Sequence, residues 1–405
     1  MARYPSYAPE FAIEIDGQAI PPALRGSITR ISHTDGIEGA DRVEITLANE
    51  GLRWLDHPLL QVDQPFALSL GYAPDPLERV FVGEITGVSA AFPGGGMPTL
   101  TVVAHDFLQR LTTGSKDRGF LIDIPTVGHF PLPDPAVTSL VAAGNLLIPH
   151  NDPVGAALSF FALLMAYAID PDEPKKGVRL QRSQSDFDFL TGIAKENGWE
   201  MHIDHTAEPR GFVLRFQFLL ADLAPSVSLT WGASLAEFTP RLSTVGQVLG
   251  VQTRIWVPSI KTELVVVLGW DFDRAAFDLQ IFPGFGGVED VLGPAAARKL
   301  YKIDAVGAAA MPKTLLSELL PRLNNRLTGS GSAVGNLEIK AGRVIDLKGL
   351  GEQFSGLYRI TSATHTIDGG GFKTSFDVRK EVWFGSIPTP KGIEGLARVN
   401  GQRIG

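Results

Sequence analysis

RVFVGEITGVSAAFPGGGMPTLTVVAHD (residues 79–106) and EQFSGLYRITSATHTIDGGGFKTSFDVRK (residues 352–380) decide how this chain is read. Both carry Phe-x-Gly, then Ile-Thr, then a Gly-Gly-Gly tip, then apolar residues alternating with polar ones. Alternation with a period of two marks a half-buried strand, and a Gly-rich break between two such runs marks a hairpin. The echo predicts two related β blocks, one near each end. Two like barrels per chain have a geometric consequence: three chains present six, which matches a six-fold partner.

Outward from these hairpins, the rest of the chain falls into parts. Residues 1–113 read as a first β-barrel domain. Phe11, Ile13 and Ile15 alternate with Ala12, Glu14 and Asp16, as Val43, Ile45 and Leu47 do with Glu44, Thr46 and Ala48. A short helix follows Asp106 and stops at Gly114. Residues 114–232 read as an α+β insert. It holds an apolar helix, 153–169, with Asp152 as N-cap and Pro153 at the first helical position. A second helix, 185–198, has Ser185 as N-cap and Asn197-Gly198 as its stop. A hairpin of Trp199–Asp204 and residues 212–219 completes the insert. Residues 233–385 read as the second β-barrel domain, with a helical insertion at about 290–330. Within it, 294–302 and 312–328 are expected as helices, Pro321 as a kink, GSGS (329–332) as a flexible join, and Leu337 and Ile339 as strand residues. Residues 386–405 form a tail. The fold class is therefore β-rich α+β, with two related tail-tube-like barrels and an α+β insertion.

Composition sets the limits. The 44 Gly and 28 Pro in 405 residues exceed the roughly 12% of an average chain and suit many turns. A net charge of −8 argues against binding by phosphate neutralisation. The absence of Cys removes disulfides, thiol nucleophiles and Cys-type metal sites. No secretory signal opens the chain, and helix 153–169 reads as a buried or subunit-facing helix, not a membrane span.

No catalytic constellation stands out. His202 and Asp204 share one strand face and His205 the other, which makes a poor metal site and a plain polar strand face. His33-Thr34-Asp35 and His105-Asp106 lie at expected strand ends, where capping is the default. No pair of carboxylates declares itself for glycoside cleavage, and a Gly-x-Ser-x-Gly elbow is absent. The reading therefore names no catalytic, cofactor or metal residues and no cofactor.

Three segments resemble the phage late control gene D family, the baseplate hubs of contractile tails and related injection systems. They are VFVGEITGV (80–88) with LTVVAHDFLQRL (100–111), QSDFDFLTGIAKENGWEMHID (184–204), and AGRVIDLKGLGEQFSGLYRITSATHTIDGGGFKTSFDV (341–378). The resemblance implies a non-enzymatic homotrimer, assembled in the bacterial cytoplasm, that joins the hexameric tail tube or its initiator protein to a trimeric spike. Baseplate wedge proteins are further implied partners; nucleic-acid recognition and a membrane span are not. A VgrG-like chain continues into a needle, and 405 residues leave no room for one, so a separate spike protein is expected. The interface candidates are Pro153, Phe160 and Phe161 on the apolar helix, and Lys391, Arg398 and Arg403 on the basic tail. The competing readings are a tail-associated cell-wall hydrolase, a VgrG-like secretion spike component and a carbohydrate-binding module.

Overall fold

The computed structural model describes residues 8–124, 128–169, 178–218, 223–243, 248, 250–271, 274, 276–284, 300–304 and 311–385. The N-terminal block contains β1 (Ala8–Ile15), β2 (Gln18–Ala19), helix α1 (Pro22–Arg25), β3 (Ile28–Gly36), β4 (Arg42–Ala48), β5 (Pro65–Ala73), β6 (Glu78–Ala91) and β7 (Thr99–His105). Its strands pair in the order β3-β4-β7-β6-β5-β1-β2. The alternating residues expected to face inward do so. Ile13, Ile15, Val43, Ile45, Leu47, Phe81 and Leu100 are buried in one core. The Pro-Gly-Gly-Gly stretch lies between β6 and β7, and a 3-10 turn, Phe107–Thr112, follows with Asp106 accepting from the Leu108 amide.

The insert opens with β8 (Lys116–Ile124), β9 (Gly128–Pro131), α2 (Asp134–Gly144), β10 (Ile148–Asn151) and α3 (Pro153–Ile169). It continues with β11 (Arg179–Gln184), α4 (Asp186–Asn197), β12 (Trp199–Asp204) and β13 (Val213–Phe218). Both expected caps of α4 are present. The Ser185 hydroxyl accepts from the Asp188 amide, and Gly198 ends the helix in the left-handed region at φ 65°. Phe189, Leu190, Ile193, Trp199 and Phe216 form this part's core with Val137 and Val141. One buried carboxylate ties its elements together. Asp134 accepts from Arg179 Nε at 2.8 Å and Asn197 Nδ2 at 2.7 Å, and pairs with Lys313.

The C-terminal block consists of β14 (Pro225–Thr230), β15 (Leu235–Leu242), β20 (Leu327–Val334), β21 (Val344–Lys348), β22 (Gly356–Asp368) and β23 (Gly371–Arg379). Between β15 and β20 stands a four-stranded sheet of β16 (Gly250–Val257), β17 (Thr262–Asp271), β18 (Ala276–Pro283) and β19 (Leu300–Lys302). Helix α5 (Met311–Asn324) packs on it through Leu315, Leu319 and Leu323. The sequence reading ends the insert at 232 and treats 233–385 as one unit. In the structure β14 belongs to the C-terminal block, and residues 250–324 contribute a separate core.

The two blocks have the same strand order. The sequence β3-β4-β7-β6-β5-β1 is matched by β15-β20-β23-β22-β21-β14, strand for strand in chain order. Even the register break recurs, between Ile85 and Gly87 on β6 and between Ile360 and Ser362 on β22. One pairing differs: β1 runs antiparallel to β5, whereas β14 runs parallel to β21.

Five expectations are corrected. Two related β-barrel domains are expected; the β-rich character holds, but among the described residues strand pairing closes neither block. The outer edge of β3, which closure would need, is taken by residues Ser362–Ile367 of β22, and one 13-stranded sheet runs through both blocks. The GSGS stretch is not a flexible join but lies inside β20. Its glycines make room for rings: a Cβ on Gly329 would lie 2.6 Å from Phe238, and one on Gly331 2.7 Å from Phe376. Leu337 and Ile339 are loop residues whose side chains plug the two cores. Of the helix expected at 294–302, residues 294–299 lie outside the described residues and Leu300–Lys302 is a strand. The second helix ends at Asn324, one turn past Pro321.

Candidate functional site

Helix α3 is placed as its caps predict, with Asp152 Oδ1 accepting from the Val154 and Gly155 amides at 3.0 and 2.9 Å. What it buries is unexpected. Gly155, Ser159 and Ala162, spaced i, i+4 and i+7, face the protein. A Cβ on Gly155 would lie 2.6 Å from Trp199 Nε1, so the helix sits close against the insert. Most of the large residues described point away. Phe161 is 60% exposed and Phe160 52%, and Val154, Leu158, Leu164 and Tyr167 are exposed beside them. Pro153 is exposed as well. Single exposed apolar residues are ordinary, but a helix with its large side chains out and its small ones in presents a contiguous apolar face. Lys391, Arg398 and Arg403 lie outside the described residues. No described helix is long and apolar enough to cross a membrane.

A second feature is a pair of open strand edges. On β22, residues Gly356–Arg359 pair with β21 and Ser362–Ile367 pair with β3. On β6, residues Glu78–Glu84 pair with β5 along the matching edge. From Thr86 to Ala91 that edge has no strand partner among the described residues, and all but Gly87 are exposed there. The outer edge of β15, the counterpart of β3, is also without a strand partner among the described residues.

The third feature is a partly open cavity of about 390 Å³ where the N-terminal block, the C-terminal block and the insert meet. It is lined among others by His33, Asp35, Asp41, His205, Lys340 and His365. Sequence reasoning assigns His33 and Asp35 to a strand-end cap, yet His33 is 3% exposed and lies within β3. It also assigns His205 to a polar strand face, but His205 is buried just past the end of β12. Asp106 does cap, as expected, and also does more. Asp41, Asp106 and His205 come together from three distant points of the chain, their ligating atoms all within 4.8 Å of one another. Such convergence depends on tertiary folding, and no spacing in the sequence signals it.

The hydrogen bonds fix the chemistry of this cluster. The Val82 amide donates to His205 Nδ1 at 3.2 Å, so in the neutral ring the proton sits on Nε2. Nε2 lies 3.0 Å from Asp41 Oδ2 and 4.0 Å from Asp106 Oδ2. Asp41 Oδ1 accepts from the Gly36 amide, and Asp106 takes the Leu108 amide on Oδ1 and the Asp41 amide on Oδ2. Burial pushes Asp35 and Asp41 up to about 7 and Asp106 to about 8, with the charge on Asp41 adding to the rise at both Asp35 and Asp106. Burial holds His205 below its ordinary value, His33 well below it, and His365 down to about 4. Among the described residues neither ring nitrogen of His33 has a hydrogen-bond partner, nor does Asp35 Oδ1.

No protein-family model matches the sequence, and no curated protein does. Solved structures do share the fold. A 43 kDa tail protein of prophage MuSo2 from Shewanella oneidensis aligns with a TM-score of 0.58 at 13% identity, covering 93% of this chain and 99% of the other. A tail protein from Neisseria meningitidis MC58 gives 0.59 at 9% identity, covering 94% and 99%. The Escherichia coli c3393 protein is a component of the type VI secretion system with structural similarity to the T4 tail proteins gp27 and gp5. It gives 0.53 at 12% identity, covering 93% and 80%. The chain therefore has the β-rich fold of these tail proteins over almost its whole length. At such identities the likeness is one of fold.

Proposed function

We propose that this protein is a structural hub of a phage-tail or injection-system baseplate, and that it works as a ring of three copies. The observation that carries the reading is the repeated six-strand block with its one internal seam. β22 lends its second half to β3, and the matching half of β6 and the matching edge of β15 are left open. Joining β6 of one copy to β15 of the next repeats the internal seam between chains. Each copy contributes two barrel-like units, one built of β1 and β3–β7 and one of β14, β15 and β20–β23, so three copies present six and match a hexameric tube. The seam aligns Ala90 with Pro240 as it aligns His365 with His33. Pro240 has no N–H to offer there, which weakens that point and guards the lone chain against chance strand addition.

In this reading Pro153, Phe160 and Phe161 are covered by a neighbouring copy or baseplate protein. The basic tail with Lys391, Arg398 and Arg403 faces a separate spike protein. The chain acts by assembly and catalyses nothing. The fold shared with tail proteins supports the role.

The test is the mass in solution and the image of the assembly. Light scattering of the full chain with its spike protein gives a trimer, and electron microscopy shows a ring of six like units. Ala90→Pro, placed on the open edge of β6, leaves the monomer folded and abolishes the ring. A persistent monomer with the spike present at micromolar concentration overturns the reading.

A further inference from the structure

The internal seam joins side chains as well as backbones. Beside it, the β22–β23 hairpin packs into the core of the N-terminal block. Phe372 of β23 is 7% exposed and belongs to that core, its ring centroid 5.4 Å from that of Tyr72. Ile367 of β22 packs against the same core, and Ile31, directly opposite it on β3, is fully buried. The C-terminal hairpin thus completes a core that is not its own.

The β6–β7 hairpin has the same place in the repeat, yet its apolar residues are exposed. The matched register breaks put Val88, Ala90 and Phe92 at the positions of Ala363, His365 and Ile367. Val88 and Ala90 stand opposite Val102 and Leu100 of β7, and directly paired residues share a face of the sheet, here the core face. On that face Ala363 and His365 are buried, whereas Val88 and Ala90 are exposed. Phe92 is 60% exposed, and Met97, next to the position of Phe372, is 52% exposed. The receiving edge can be matched in the same way. The irregularities after Ile28 and Leu235 align β3 with β15 and put Phe238 and Leu242 at the positions of Ile31 and Asp35. Both are only partly buried at the rim of the C-terminal core.

We propose that the β6–β7 hairpin of one copy inserts into the C-terminal block of the next, with Phe92 packed on Phe238 and Val88 on Leu242. The occupant is a second copy of this chain, because the chain already makes the equivalent contact once with itself. This inference rests on the ring reading and adds the side chains that hold one copy to another. The two seams differ in chemistry. Inside the chain, the core-facing pairs include His365 with His33 and Ala363 with Asp35. Between copies, the same places hold Ala90 with Pro240 and Val88 with Leu242. The seam that assembles from separate chains is therefore apolar where the internal one is polar. Its aromatic pair, Phe92 with Phe238, is the kind of desolvated anchor that carries most of an interface's energy. Pro240 cannot donate a backbone bond, so these side chains bear more of the contact.

The test uses the full chain with its spike protein. The chain has no Cys, so two introduced thiols are the only ones it carries. Val88→Cys combined with Leu242→Cys, assembled and then oxidised, gives covalent dimers and trimers on a denaturing, non-reducing gel. Val88→Cys combined with Thr239→Cys is off register and on the other face of β15, and stays monomeric, because a disulfide needs its Cβ atoms within about 4.5 Å. Phe92→Ser leaves the chain's own urea unfolding unchanged and weakens association at least about 30-fold in a light-scattering dilution series. A wild-type trimer whose Val88–Leu242 pair does not cross-link, or whose offset pair cross-links equally well, overturns the proposal and leaves the ring standing. So does a trimer that Phe92→Ser does not weaken. A wild-type chain that stays monomeric with its spike overturns the ring itself, and this contact with it.

Discussion

His33 on β3 stands directly opposite His365 on β22, and the two imidazoles stack with centroids 5.9 Å apart and planes 15° from parallel. This contact bridges the seam between the two blocks, far apart in sequence. It holds only while both rings are uncharged. His365 is kept neutral by burial and is tied by Nδ1 to Thr374 Oγ1 at 2.9 Å.

The pH dependence of the seam follows from that burial. Unfolded imidazoles take up protons below about 6.5, whereas folded His365 stays neutral down to about 4. The unfolded state then binds more protons, and stability falls as pH drops through this window. Asp35, Asp41 and Asp106 work in the opposite sense. Their raised values make the folded state bind more protons between about 4 and 8, which adds stability as pH falls. The share of His365 is isolated by comparison with His365→Gln. Between pH 7 and 4 the wild type should lose about 3 kcal/mol relative to that variant in urea unfolding. A constant difference across the range contradicts a neutral, buried His365.

Asp134 is the ionic centre of the insert, since Arg179, Asn197 and Lys313 all converge on it. These partners hold its carboxyl far below the usual range against the opposing effect of burial. Asp134→Ala leaves Arg179 and Lys313 without their shared anion and should cost about 3–5 kcal/mol. Urea unfolding at pH 7 measures it. A loss below about 1 kcal/mol would mean that the surrounding charges find water instead.

The glycines of β20 make a steric prediction. Gly331→Ala drives a methyl into the Phe376 ring and should destabilise by about 1–3 kcal/mol. Adding Phe376→Leu should restore part of that loss by opening space. Gly369→Ala, in the β22–β23 turn with nothing within 4 Å of its Cβ, is the control and should change Tm little.

Phe161→Glu and Phe160→Ser alter only the outward side of α3. Both should leave the chain's own unfolding free energy within about 0.5 kcal/mol of wild type, as surface changes do. Both should also raise solubility and reduce incorporation into the assembled ring, read by size-exclusion chromatography with light scattering. A large loss of monomer stability would place these rings in the core after all.

Much of the fold was legible because β strands and helix caps are written locally. Ile13 and Ile15, Ser185 and Gly198, Asp152 and Pro153 each took the place that periodicity or capping assigns them. The misreadings share one cause. In GSGS the glycines serve rings of Phe238 and Phe376 far away in sequence, and local reading sees only a join. Leu337 and Ile339 alternate like strand residues but serve as plugs between two cores. The cluster of Asp41, Asp106 and His205 was invisible for the same reason, since only the folded sheet brings position 205 to 41. The inward stripe of α3 could have been found, because Gly155, Ser159 and Ala162 repeat at helical spacing.

The seam at β3 and β22 also has a mechanical meaning. Its registered pairs run from Ile31–Ile367 to Gly36–Ser362 along two antiparallel strands. A pull along the strands shears these backbone bonds together, so they share the load. A pull across them opens the seam like a zip, one bond after another. The joint between the two blocks is thus stiff in one direction and weak in the perpendicular one, and the sheet itself sets which.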